Sequence, residues 1–171
     1  MSQHLNPIEI FRVLSKYQTD FILVGGICAV LHGAPVTTFD LDIVHSRAPK
    51  NLRRLVSAVK DLDGHYRGHP KRIVPDAEKL ASSGHHLLMT RLGPLDLLGT
   101  IENGEDYDSL FDKSEVVQID QMEIRIMSLE CLIQIKESSN RDKDRLILPI
   151  LRRTLEEIRH PKPSPERDSN A

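Results

Sequence analysis

Phe21-Ile-Leu-Val-Gly-Gly-Ile-Cys-Ala-Val-Leu-His-Gly33, followed closely by Thr38-Phe-Asp-Leu-Asp-Ile-Val44, decides how the chain is read. Residues 21–24 form a short unbroken apolar run, the pattern of a buried strand. Gly25-Gly26 ends it. Residues 27–32 read as a short helix, with Gly33 suited to its C-terminal cap. Residues 37–44 read as the next strand. Alternation along it puts Asp40 and Asp42 on one face, about 6–7 Å apart at the backbone, and turns Phe39, Leu41 and Ile43 inward on the other. Two like charges on one face repel unless a cation or water answers them. Such a pair suits divalent cations, although alone it more often marks a solvated strand face. The glycine pair lets a phosphate approach backbone N–H groups at a helix start, or simply makes a tight turn. It belongs to neither a G-x-x-x-x-G-K-[ST] nor a G-x-G-x-x-G pattern.

Outward from this stretch, the elements alternate. Asn6-Pro7-Ile8-Glu9 has the residues of a helix start, with Ile8, Phe11, Val13 and Leu14 as the inner face of a helix ending near Tyr17. Residues 51–60 follow Ala48-Pro49 as a helix. Residues 72–74 suit a small edge strand and 76–81 a helical turn. Residues 87–90 and 94–98 read as strands joined through Leu92-Gly93, and 102–112 as an acidic loop or short helix. Met122, Ile124 and Ile126 alternate with Glu123 and Arg125, which predicts a hairpin of 116–119 with 122–126. Ser128 can cap a helix over 129–137. A second helical stretch follows Asn140, and Pro149 either kinks it or begins a new helix. The order predicts an α/β (α+β) domain over residues 1–159, one mixed sheet with flanking helices and a C-terminal helical segment. Residues 160–171, rich in Pro, Ser and charge, read as a disordered tail.

Two further positions carry chemistry. Asp96 interrupts the apolar run Pro94-Leu-Asp-Leu-Leu98, and a buried carboxylate needs a partner. A cation shared with Asp40 and Asp42 would be one; exposure on an edge strand is the other explanation. Lys136 falls beside Leu129, Leu132 and Ile133 on a helix face that should be apolar, so it either snorkels to solvent or reaches an interior polar site. Arg141-Asp-Lys-Asp144 behind it also fits an ordinary charged helix start. Three carboxylates with a glycine turn point to metal-assisted phosphoryl transfer, with Mg²⁺ suited to an all-oxygen site and Mn²⁺ the alternative.

In this order, Leu23-Val-Gly-Gly-Ile-Cys-Ala-Val-Leu-His-Gly33, Thr38-Phe-Asp-Leu-Asp42, Gly93-Pro-Leu-Asp-Leu-Leu98, Ile126-Met-Ser-Leu-Glu-Cys-Leu-Ile133, Lys136 and Arg141-Asp-Lys-Asp144 resemble the small polymerase-β-type nucleotidyltransferases. Within them the sequence is most similar to the bacterial abortive-infection (AbiEii-like) toxin branch. The resemblance covers roughly residues 20–150. It implies a mixed-sheet nucleotidyltransferase fold and transfer of an NMP group from an NTP to a hydroxyl of RNA, protein or a small molecule, with release of pyrophosphate. It implies Asp40, Asp42 and Asp96 as catalytic metal ligands, with Asp96 helping to deprotonate the attacking hydroxyl. Gly25 and Gly26 would hold the triphosphate, Thr38 would support the metal loop, and Lys136 and Arg141 would approach the phosphates or acceptor. ATP binding is among the properties the resemblance implies, with the base of the NTP left open, and an antitoxin partner follows if the chain is a toxin. Two departures stand out. Val36 occupies a position that is often basic, and no Ser follows the glycines. A nucleotide-binding, regulatory or interaction protein of the same fold is the alternative.

The bulk composition agrees with a soluble domain. Of 171 residues, 39% are hydrophobic and 28% charged, and the net charge of -2 gives no global pull toward nucleic acid. Cys28 and Cys131 lie in apolar segments outside any zinc pattern, which predicts a reduced cytoplasmic protein with Cys28 in the core. The N-terminus does not read as a signal peptide, and no apolar run reaches the ~18 residues of a membrane span. The eight histidines lack metal spacing. His85 and His86 should point opposite ways, and His32 belongs to a helix end. Lys50, Arg53, Arg54 and Lys60 form a solvated helical cluster.

Overall fold

A computed structural model describes residues 4–163; most of the tail expected over 160–171 lies outside them. Its strands form one seven-stranded mixed sheet. In chain order the elements are α1 (Pro7–Lys16), β1 (Phe21–Val24), α2 (Gly25–Leu31), β2 (Leu41–His45), α3 (Pro49–Asp61), β3 (His65–Tyr66), α4 (Ala77–Leu80), β4 (His85–Thr90), β5 (Gly93–Leu98), α5 (Tyr107–Phe111), β6 (Ser114–Ile119), β7 (Met122–Met127), α6 (Leu129–Ser138) and α7 (Asp142–Arg159). The spatial order is β3-β4-β5-β2-β1-β7-β6. β2 lies antiparallel to β1 and parallel to β5, and β1 lies parallel to β7.

Local chemistry explains most boundaries. Asn6 Oδ1 accepts the Glu9 N–H and Pro7 opens α1, so the expected start is realised. The buried face of α1 is Ile10, Phe11, Val13 and Leu14, with Ile10 replacing the expected Ile8. Ser128 Oγ caps α6 by accepting the Cys131 N–H. Asp120, at φ 52, makes the turn between β6 and β7. α7 runs through Pro149 without a break. Both Pro149 and Arg145, whose carbonyl loses its helical donor there, are exposed, so water can satisfy that group.

Strand alternation gives the sheet two chemically different faces. Leu41, Ile43, Leu95 and Leu97 are fully buried on one. His45 and His86 share that face with their rings 6.4 Å apart, and His45 Nε2 donates to the Leu80 carbonyl of α4. α3 packs between α4 and α1. Val24, Asp42, His85, Leu87, Asp96 and Leu98 point the other way, into an open cavity.

Two further local expectations are corrected, and one alternative for Asp96 is removed. β2 begins at Leu41, so Thr38, Phe39 and Asp40 lie in the irregular segment before it. The period-2 alternation has not yet begun there, and Phe39 is 79% exposed instead of packed inward. The edge strand beside β4 is β3, not residues 72–74; Ile73 contributes only its carbonyl to the Tyr66 N–H. Asp96 is on a central strand and is 7% exposed, which removes the edge-strand explanation.

Candidate active site

The site is built along one row of the sheet. Val24 of β1 stands opposite Asp42 of β2, Asp42 opposite Asp96 of β5, and Asp96 opposite Leu87 of β4. The row continues past the end of β3, where the Arg67 N–H donates to the Leu87 carbonyl. Paired positions on neighbouring strands share a face, so the Asp42 and Asp96 carboxylates meet above the sheet. Asp40 joins them from the bend before β2. One carboxylate oxygen from each of the three residues lies within 4.8 Å of the others. Oxygens bound to one Mg²⁺ by ~2.1 Å bonds stand roughly 3–4 Å apart, so this donor set fits a hard divalent cation with small side-chain shifts.

The electrostatics show the same crowding. Burial, then the charges of Asp40 and Asp96, push the Asp42 carboxyl up to about 7, against the opposing pull of Lys136. Burial also raises Asp96, although the Arg67 guanidinium opposes it. The pair therefore holds a proton more tightly than isolated carboxylates would. A bound cation would displace that proton.

The glycine pair serves this cluster sterically. Gly25 has φ +72, and a Cβ there would overlap the Asp42 carboxylate. A Cβ on Gly26 would sit 2.6 Å from Cβ and Oγ1 of Thr38. The Thr38 hydroxyl lies 3.2 Å from both the main-chain carbonyl and Oδ1 of Asp40, and so ties down the bend that carries Asp40. Glycine is required here for close approach, whatever else the turn does.

Lys136, Arg141 and Lys143 line the same cavity, which has a volume of about 570 Å³. Lys136 takes the interior option: its Nζ donates to Asp144 Oδ1 at 2.7 Å. Asp144 is 1% exposed and also accepts from Ser139 Oγ at 2.6 Å and Arg141 Nε at 2.8 Å. Burial raises its carboxyl, but Lys136, Ser139 and Arg141 outweigh burial and hold it below the usual carboxylate range. Arg141 is also 3.7 Å from Glu102, another cavity residue. Val36 lines the cavity with no charge. All eight residues singled out in the sequence — Gly25, Gly26, Thr38, Asp40, Asp42, Asp96, Lys136 and Arg141 — border this one cavity.

Two contributors were missed. Arg67 Nη2 donates to Asp96 Oδ1 at 2.6 Å from a polar loop with no periodic signal. Asp144 reads in the sequence as part of a charged helix start. The remaining groups behave as expected: His86 is buried between Tyr66 and Ser82, while His85 faces the cavity and bonds the Thr100 carbonyl. Cys28 is buried and donates to the Met127 carbonyl, with burial pushing its thiol up to about 12. His32, at the end of α2, reaches the same carbonyl. Lys50, Arg53 and Lys60 of α3 are exposed, whereas Arg54 Nη1 donates to the Gln18 carbonyl. No helix among the described residues is long and apolar enough to cross a membrane.

No protein-family model matches the sequence. No curated protein sequence matches it either. Solved structures do resemble the fold. TM1012, a candidate nucleotidyltransferase from Thermotoga maritima, superposes with a TM-score of 0.54 at 18% identity, covering 90% of this chain and 97% of its own. The lincosamide antibiotic adenylyltransferase LnuA, in its lincomycin-bound form, superposes with a TM-score of 0.57 at 14% identity, covering 87% and 98%. The chain therefore has the nucleotidyltransferase fold, a mixed sheet flanked by helices and completed by a C-terminal helix.

Proposed function

We propose that the protein is a divalent-metal-dependent nucleotidyltransferase that moves an NMP group from an NTP to a hydroxyl and releases pyrophosphate. The observation that carries this reading is the convergence of Asp40, Asp42 and Asp96 in a cavity that Lys136, Arg141 and Lys143 also line. A triphosphate needs both: cation-bearing carboxylates at its reacting end and fixed positive charge along its length. A shared fold with LnuA, an adenylyltransferase, is consistent with that chemistry.

On this reading Asp40 and Asp42 hold the cation, Mg²⁺ in the cell with Mn²⁺ as a substitute. The bound cation would neutralise the triphosphate and sharpen the acceptor oxygen as a nucleophile. Asp96 completes the ligand set and receives the acceptor proton as the hydroxyl oxygen attacks the α-phosphorus and the bond to the pyrophosphate leaving group breaks. Thr38 keeps Asp40 in place. Gly25 and Gly26 leave room for Asp42 and for a phosphate. Lys136 and Arg141, oriented by Asp144, bind the phosphates. Val36 withholds one positive charge from that grip, so these two residues carry more of it.

Incubation with α-labelled NTPs, Mg²⁺ and, in parallel, RNA, a protein extract and small polyhydroxylated compounds tests the reading. Label transferred to one acceptor class, lost in Asp42→Asn, supports it; binding of NTP with no transfer to any of them favours a non-catalytic nucleotide-binding module. The toxin setting implied by the family resemblance has its own test. Expression should arrest growth, Asp42→Ala should relieve the arrest, and a co-expressed antitoxin partner should do the same.

A further inference from the structure

Arg67 sits where no local pattern calls for a cation. It follows β3 directly, and its backbone N–H is fixed on the Leu87 carbonyl at 2.9 Å. That places it in the same sheet row as Leu87, Asp96 and Asp42. From there its guanidinium crosses over Leu87 to Asp96, meeting Oδ1 at 2.6 Å. The Asp96 side chain is only 9% exposed and that of Arg67 26%, so solvent screens the pair weakly. Arg67 is a permanent charge that cannot be neutralised by proton loss. Its placement beside three converging carboxylates makes it a built-in counter-ion, and its bond to Oδ1 occupies one of the two oxygens of Asp96.

We propose that Arg67 is a built-in counter-charge to the carboxylate cluster: by pairing with Asp96 it lowers the affinity with which the cluster holds a divalent cation when no nucleotide is bound. This rests on the metal-site reading above. Fixed positive charge a few ångströms from a divalent cation weakens its binding, so the nucleotide-free site is held below its full affinity. The triphosphate, by adding negative charge, then draws the cation in with it. Cation and nucleotide thereby arrive together, and Asp96 is kept from wrapping around the cation with both oxygens.

The test is Mn²⁺ binding to the nucleotide-free protein, followed by the electron paramagnetic resonance signal of free Mn²⁺. Arg67→Met should tighten binding by at least about fivefold, because a repelling charge at this range is removed. Arg67→Lys, which keeps the charge, should stay within about twofold of wild type. A residue that merely tied the loop to the sheet would give the opposite sign, since loosening the site weakens the metal. If folded Arg67→Met binds Mn²⁺ equally or more weakly, the proposal is overturned. Arg67→Gln carries the same expectation should Arg67→Met fail to fold. If wild type and Asp42→Ala bind Mn²⁺ alike, the metal-site reading itself fails, an outcome distinct from the first.

Discussion

Asp42 and Asp96 stand directly opposite one another on the adjacent parallel strands β2 and β5, with Asp40 closing on them from the bend before β2. A folded protein does not gain stability from such an arrangement without a cation, so its removal should separate function from stability. Asp42→Asn should raise the melting temperature in chelator-treated buffer and abolish the further rise that Mg²⁺ or Mn²⁺ gives wild type. Nucleotidyl transfer should fall by at least about a hundredfold, in line with losing a directly acting charged group. Calorimetry with and without cation, paired with the transfer assay, checks both.

The pH dependence of the metal-free protein follows from the same pair. The Asp42 carboxyl, at about 7 in the fold against an ordinary 3.8, is raised, so it favours folding while protonated. Its contribution is complete below 3.8 and disappears as pH rises through about 7. Urea unfolding without divalent cation should therefore show a stability loss on the order of 1–4 kcal/mol over that window relative to Asp42→Asn. Added Mg²⁺ should reverse it.

His45 predicts a slope of the opposite sign. Burial lowers its imidazole from 6.5 to about 4, while its Nδ1 has no hydrogen-bond partner among the described residues. The neutral ring stabilises the fold above 6.5, and that contribution is lost as pH falls through about 4. His45→Gln should flatten the acid limb, by up to about 3 kcal/mol relative to wild type, in unfolding measured across this range.

Asp144 should matter for the triphosphate and not for the cation. Removing a buried carboxylate leaves Lys136, whose side chain is 17% exposed, without its partner, while the 56% exposed Arg141 is answered by solvent, at a cost of roughly 1–3 kcal/mol. Asp144→Ala should also weaken NTP binding by more than about tenfold, while Mn²⁺ affinity in the nucleotide-free protein stays near wild type. Unfolding and titration calorimetry separate the two effects.

Much of this site is written locally in the chain. The apolar run of β1, the glycine pair and the carboxylates of Asp40, Asp42 and Asp96 are each visible in a short window, and their sequence order ties them together. Lys136 was legible because a charge on an apolar helix face needs an answer. Arg67 was not, since its meeting with Asp96 spans 29 residues and depends on the pairing of β3, β4 and β5. Asp144 was hidden for a similar reason: a charged residue in the first turn of a helix looks solvated until the preceding helix is packed beside it. Phe39 and Asp40 read as strand residues because alternation gives no sign of where a strand begins. The error left the carboxylate cluster intact, because Asp40 reaches it from the bend.

Diffraction from crystals soaked with Mn²⁺ and a non-hydrolysable NTP analogue tests the central claim most directly. An anomalous peak is expected within coordination distance of Asp40 and Asp42, with the triphosphate running from that ion toward Lys136 and Arg141. A peak elsewhere, or a triphosphate bound away from the three carboxylates, would contradict it.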